Sequence, residues 1–226
     1  PCGLMDQMAS SVGNIITIDF ADKANPDVEP VQVDFSKAGL ALCILDSGAD
    51  HADLTDEYAA IPNECRAVAA VCGGEVLRDV PFDTFLAKLP ECRRQCGDRA
   101  VLRAIHYFEE NARTLAQRDA LQAGQCDAFA ALVLESGRAS FALCQNVYCS
   151  TDVRHQGLSV ALALSQSILQ GSTGAWRMQG GGFAGTIQAF VPGMLTAKYH
   201  DAIEKVFGAG SCYLLRLREQ GALRVI

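Results

Sequence analysis

An α+β fold is predicted by three features of the chain. Leu40-Ala41-Leu42-Cys43-Ile44-Leu45 is an unbroken apolar run that stops at Asp46-Ser47-Gly48, the mark of a buried strand running into a loop. From Asp98 onward, Val101, Ile105, Phe108, Ala112 and Leu115 recur at alternating four- and three-residue steps, which places them on one face of a helix. Past Gly171 the period changes, and short β-branched or aromatic segments are separated by glycines. Counted from Leu40, the order is strand, helices, strand, strand, helix, strand. This is the β-α-β-β-α-β order of a ferredoxin-like fold with extra helices in its first crossover.

Taken in order, Met5 to about Val12 is a short helical segment ended by Gly13, with Asp6 in its first turn, where the helix dipole favours a carboxylate. Asn14–Phe20 is β-branched and short, hence a strand. Val31–Phe35 alternates apolar and polar and forms a second strand, able to pair with the first across a long loop containing Pro26 and Pro30. After the Leu40–Leu45 strand, a loop carrying His51 enters a helix with Tyr58, which Pro62 interrupts or restarts before Gly73-Gly74. Residues 75–97, punctuated by Pro81, Pro90 and Gly97, read as a short helix between loops.

Asp98 can cap the long amphipathic helix, with Gly124 beyond its end; Asp127 can cap the next, and Thr151-Asp152 opens a third that Gly171 closes. The tail then reads as a strand from Gly174 to Gln179, a glycine turn, a strand from Phe183 to Val191, a helix from Thr196 to Phe207 and a last strand from Ser211 to Leu217.

With 226 residues and 50% hydrophobic content the chain can bury a sizeable core. Its net charge of −7, with both signs interspersed, argues against a nucleic-acid partner, which needs clustered Lys and Arg. Small phosphate sites work through backbone N–H groups and one or two cations, so a nucleotide is not excluded. No run of eighteen apolar residues and no secretory signal is present, and the expectation is a cytoplasmic protein with no membrane partner. The ten cysteines lack zinc-knuckle or thioredoxin-like spacing and read as isolated buried thiols, with no structural metal.

Two stretches carry candidate chemistry. In Pro1-Cys2-Gly3-Leu4-Met5-Asp6-Gln7, Gly3 can bring backbone close to a small ligand and Asp6 is a candidate base. In Gly180-Gly181-Gly182-Phe183-Ala184-Gly185, a triple glycine between strands is either a phosphate-cradling loop or a tight hairpin with close backbone approach. An Asp three residues after a Gly is also an ordinary helix-cap arrangement.

The first stretch resembles the segment of galactokinases, within the GHMP family of small-molecule kinases, that carries the catalytic aspartate. His51, Tyr58 and Cys65, spaced seven apart, match a His, Tyr, Cys series in that family. Arg103-Ala104-Ile105-His106 with Glu109, Asn111 and Arg113 resembles its Arg-x-x-His helix, Leu134-Glu135-Ser136 its Glu-Ser-His helix, and Trp176–Gly185 its last glycine-rich signature. The departures are Ala59–Glu64 in place of a basic run, Gly137-Arg138 after Glu-Ser, and Ala184 for a signature glycine.

The resemblance implies that residues 1–36 are the remainder of a GHMP kinase amino-terminal domain and residues 37–226 the ferredoxin-like carboxy-terminal domain, an α/β sandwich with inserted helices. It implies an ATP-dependent, Mg²⁺-assisted phosphorylation of the anomeric hydroxyl of galactose, with Asp6 catalytic. Gly3, Asp6 and Tyr58 would bind the sugar, and the Gly180, Gly181 and Gly182 loop would lie beside the active site. A tyrosine such as Tyr58 suits a sugar because it joins a flat apolar face to one hydroxyl. In the family the serine-rich phosphate loop, the sugar signature and the magnesium-binding glutamate precede the Pro-Cys-Gly segment. The 226 residues would then be a carboxy-terminal portion whose partner is the missing amino-terminal portion, and by itself the chain is expected not to turn over ATP. The alternatives are a non-catalytic galactokinase-like sugar sensor, or a GHMP kinase for another sugar.

Overall fold

A computed structural model of the chain describes residues 4–48, 54–218 and 220–222. Helix α1 (Met5–Val12) is followed by a two-stranded antiparallel hairpin, β1 (Ile15–Asp19) and β2 (Asp27–Val31), in which Ile15 faces Val31 and Asp19 faces Asp27. The second strand thus precedes the Val31–Phe35 segment expected to form it. Pro30 is tolerated because it lies in a two-stranded ribbon, where one side of each strand is an edge that needs no ladder donor. The alternation over residues 31–35 reflects burial rather than pairing. Val31 and Phe35 point into a core where Phe35 packs on Phe129 and Phe190, and Asp34 turns the chain by accepting the Ser36 N–H.

Strand β3 (Leu40–Asp46) opens the main sheet. Helix α2 (Thr55–Cys72) runs through Pro62 without a break, and α3 (Phe82–Cys96) runs through Pro90, so the short helix expected over residues 75–97 is a full fifteen-residue one. Both prolines are exposed, so the carbonyls they leave unpaired face water. Helices α4 (Asp98–Gln122) and α5 (Cys126–Ala139) follow. Neither Asp98 nor Asp127 caps a helix; Asp98 is instead paired with Arg93 at 2.6 Å. A π-helical turn (Ser140–Cys144) leads to α6 (Gly157–Leu169). Thr151-Asp152 does not open α6, because the Asp152 carboxylate closes a local turn with the Arg154 N–H and the His155 ring.

The chain ends with β4 (Ala175–Met178), β5 (Thr186–Pro192), α7 (Thr196–Phe207) and β6 (Cys212–Leu215). The four long-range strands form one antiparallel sheet in the order β4-β5-β3-β6, the ferredoxin-like arrangement the element order predicted. Alternation along β5 sends Ile187, Ala189 and Val191 to a core shared with α6 and α7, and Phe190 to the opposite core shared with α5. The inserted helices therefore cover the sheet face that the two ferredoxin-type helices leave open. A third core, built on Val68, Phe85, Cys92 and Val101, joins α2, α3 and α4.

All nine described cysteines are free. They are not all isolated, which corrects the expectation. The sulfurs of Cys72 and Cys92 lie 3.8 Å apart, and Cys43 hydrogen-bonds Cys212. Burial pushes the Cys92 thiol up to about 11. Among the described residues, no helix is long and apolar enough to cross a membrane.

Candidate functional site

The glycine loop between β4 and β5 is held by three side chains, half-buried Tyr58 and Ser47 and buried Asn146. The Tyr58 hydroxyl, on the first turns of α2, donates to the Gly182 carbonyl at 2.7 Å, and its ring meets Phe183 edge-on at 5.3 Å. Asn146, buried beyond the π-helical turn, donates from Nδ2 to the Gly181 carbonyl at 3.0 Å and accepts the Phe183 N–H on its own carbonyl at 2.6 Å. The Ser47 hydroxyl at the end of β3 donates to the Gly185 carbonyl at 2.7 Å. Glycine is required by space as well as by φ. A Cβ on Gly182, whose φ is +85°, would stand 2.0 Å from the Asn146 carbonyl oxygen, and one on Gly181 would stand 2.6 Å from the Tyr58 ring. Burial raises the Tyr58 phenol above its ordinary range, so it serves as a neutral donor.

A second line of support reaches Asn146 from α2 and α4. Arg103, only 1% exposed, pairs with Glu64 at 2.8 Å and donates to the Cys144 carbonyl at 3.0 Å, two residues before Asn146. Gln145 between them adopts a left-handed φ of +55°. A π turn followed by a left-handed non-glycine residue is costly backbone that packing must hold in place. The paired Arg103 supplies that hold.

Beside the loop lies a polar cluster centred on Glu110, which bonds Arg113 and Ser136 and approaches Arg177 at 3.4 Å. Glu110, rather than the Glu109 singled out from the sequence, is thus the hub; Glu109 is exposed and stands 3.6 Å from Arg113. His106 faces this cluster with its Nδ1 buried and unpartnered among the described residues. Burial pushes His106 below the ordinary histidine range, against the opposing pull of Glu110. Arg177 is likewise lowered by burial, with Glu110 opposing.

Asp6 is exposed in the first turn of α1, and it caps nothing, since α1 makes no side-chain cap bond. Gly3 and His51 lie outside the described residues. Asn146 was missed by sequence reasoning, and no local pattern marks it. Arg103 was visible only through its motif, with nothing to indicate that it reaches a loop carbonyl 41 residues away.

No family model matches the chain. Known galactokinases do resemble it. That of Glaesserella parasuis serovar 5 (strain SH0165) is 30% identical over 191 residues, which is 84% of this chain and 47% of that protein. That of Streptomyces coelicolor (strain ATCC BAA-471 / A3(2) / M145) is 28% identical over 232 residues, covering 100% of this chain and 56% of that protein. The crystal structure of Lactococcus lactis galactokinase complexed with galactose superposes with a TM-score of 0.74 at 20% identity, covering 100% of this chain and 56% of that one.

The sheet order, the inserted helices and this likeness define the carboxy-terminal portion of a GHMP-type kinase fold. Within that class, the chain corresponds to the carboxy-terminal portion of a galactokinase. It spans about half the length of the curated relatives it matches.

Proposed function

We propose that the complete protein is an ATP-dependent sugar kinase that converts galactose to galactose 1-phosphate. The observation that carries this reading is the galactokinase likeness, which extends over 84% of the chain. The braced glycine loop, which coincides with the last galactokinase-like motif, supports it. In this reading the anomeric oxygen attacks the γ-phosphorus, the bond to the β–γ bridging oxygen breaks, and ADP leaves. Asp6 orients the hydroxyl and accepts its proton. Its place in the first turn of α1 suits this, because the N-terminal end of a helix is where an acidic side chain meets the positive end of the dipole.

Gly3 and Tyr58 would contact the sugar. The Tyr58 hydroxyl donates to the Gly182 carbonyl, which places it at the glycine loop, and a phenol joins one hydroxyl to a flat apolar face suited to a sugar ring. Gly180 and Gly181 are exposed, and their N–H groups make no backbone hydrogen bond among the described residues, which fits a loop facing an anionic or hydroxylated ligand.

Among the described residues no group of three or more His, Cys, Asp or Glu side chains could hold a metal ion, and in this reading Mg²⁺ would be held mostly by residues of the amino-terminal portion. In the same reading, residues 1–36 complete an amino-terminal domain, residues 37–226 form the carboxy-terminal one, and the protein works in the cytoplasm. The 226 residues contain no serine-rich phosphate loop, so ADP release by this chain alone is expected to be absent.

The test is Asp6→Ala in the complete protein. A base should lose roughly 10²–10⁴-fold in kcat with ATP binding and melting temperature nearly unchanged. An unchanged kcat would remove Asp6 as the base.

A further inference from the structure

Helix α1 is eight residues long, and a helix this short is marginal in isolation. Among the described residues it has no side-chain N-cap bond. It also has no basic residue in its last turn to meet the negative end of its dipole.

What it lacks is supplied from some 200 residues away. The Arg218 guanidinium donates from Nη2 to the Ser10 carbonyl at 2.9 Å, and the Ala222 N–H donates to the Ser11 carbonyl at 2.8 Å. The Asn14 N–H, just past the helix, donates to the Arg218 carbonyl at 2.7 Å. Two carbonyls of the last turn, which have no partner within a helix, are therefore satisfied by this segment, and Arg218 brings a cation to the C-terminal end.

The contact is backbone on backbone. A Cβ on Gly13, whose φ is +80°, would lie 2.5 Å from the Gly221 nitrogen, and a Cβ on Gly221 would lie 1.9 Å from the Ser11 carbonyl oxygen. No side chain fits between them, so this approach needs glycine on both sides.

We propose that Arg218 and residues 220–222 form a latch that fixes α1, and that Arg218 and Gly221 are positioning residues for Asp6. The proposal rests on the reading of Asp6 as the base.

The test uses the complete protein with Gly221→Val, Arg218→Ala and the conservative Arg218→Lys. Hydrogen exchange of the α1 amides should be roughly tenfold faster in the first two, the scale of one lost hydrogen bond. In steady-state kinetics with galactose and MgATP, kcat should fall by up to about 10²-fold while both KM values hold, the mark of a misplaced catalytic group. Arg218→Lys, which keeps a cationic donor, should restore most of both. If Gly221→Val does not fold, Arg218→Ala decides. Unchanged exchange would overturn the latch, and faster exchange with full kcat would overturn its role in positioning Asp6. Absence of kinase activity in the unaltered protein would remove the kinase reading alone, with the exchange measurement still deciding the latch.

Discussion

Residues 180–185 are held by side chains, with half-buried Tyr58 and Ser47 and buried Asn146 each bonded to a loop carbonyl and buried Arg103 behind them. The end of helix α1 is held mainly through backbone, by the main chain and one guanidinium of a distant segment. The contrast suits the two tasks that the proposed function gives these regions. A loop that must present backbone groups in one arrangement needs φ angles that only surrounding packing can enforce. On that reading Asp6 has to reach a ligand, and what it needs from its helix is a fixed position.

The contrast can be broken most severely at Gly182. Gly182→Val would place a branched side chain against the Asn146 carbonyl at a φ this residue type avoids, so the loop must move. In the complete protein kcat should drop by about 10²-fold or more and the melting temperature should fall with it. Met5→Ala, by contrast, trims a side chain of α1 that is 54% exposed and should change stability by no more than about 0.5 kcal/mol. Calorimetry of the two variants measures the asymmetry; equal losses would mean the two regions are held alike.

A smaller effect is expected at Tyr58. Tyr58→Phe keeps the ring on Phe183 but removes the donor to Gly182, at a cost of about 1 kcal/mol in stability. If the hydroxyl also meets the sugar, KM for galactose should rise more than KM for ATP. Equal changes in both would restrict Tyr58 to bracing the loop.

The smallest effect belongs to His106. Its folded pKa lies below the unfolded value of about 6.5, so as pH falls through that value the unfolded chain takes up the proton first. The stability present above about pH 6.5 should be lost progressively as pH drops toward the folded pKa. His106→Gln should flatten that acid limb in denaturant titrations, and an unchanged slope would mean that another group is responsible.

Much of this was legible in the sequence because periodicity and glycine placement are local. The bounds of α1 and α7, the buried β3 strand and the β-α-β-β-α-β order all follow from residues within a few positions of one another. What could not be read depends on which side of an element faces water. Pro62 and Pro90 are breakers in a pattern but ride exposed helix faces, and Asp98 finds Arg93 before it finds a helix N-terminus. The hold on the site was least visible, since Asn146 lies 35 residues from Gly181 and Gly221 more than 200 from Ser11. Only the folded chain shows that such glycines and amides are spoken for. The motifs thus included Tyr58 and Arg103, which brace the glycine loop, and missed Asn146 and Gly221, whose contacts are long-range.

Membership in a kinase that acts on the anomeric hydroxyl of a sugar is decided by phosphorus NMR of the complete protein incubated with galactose and MgATP. ADP and a sugar phosphate esterified at the anomeric oxygen should appear together in equal amounts, and both should form roughly 10²–10⁴-fold more slowly with Asp6→Ala. Galactose recovered unphosphorylated, or an ester at any other hydroxyl, would contradict it.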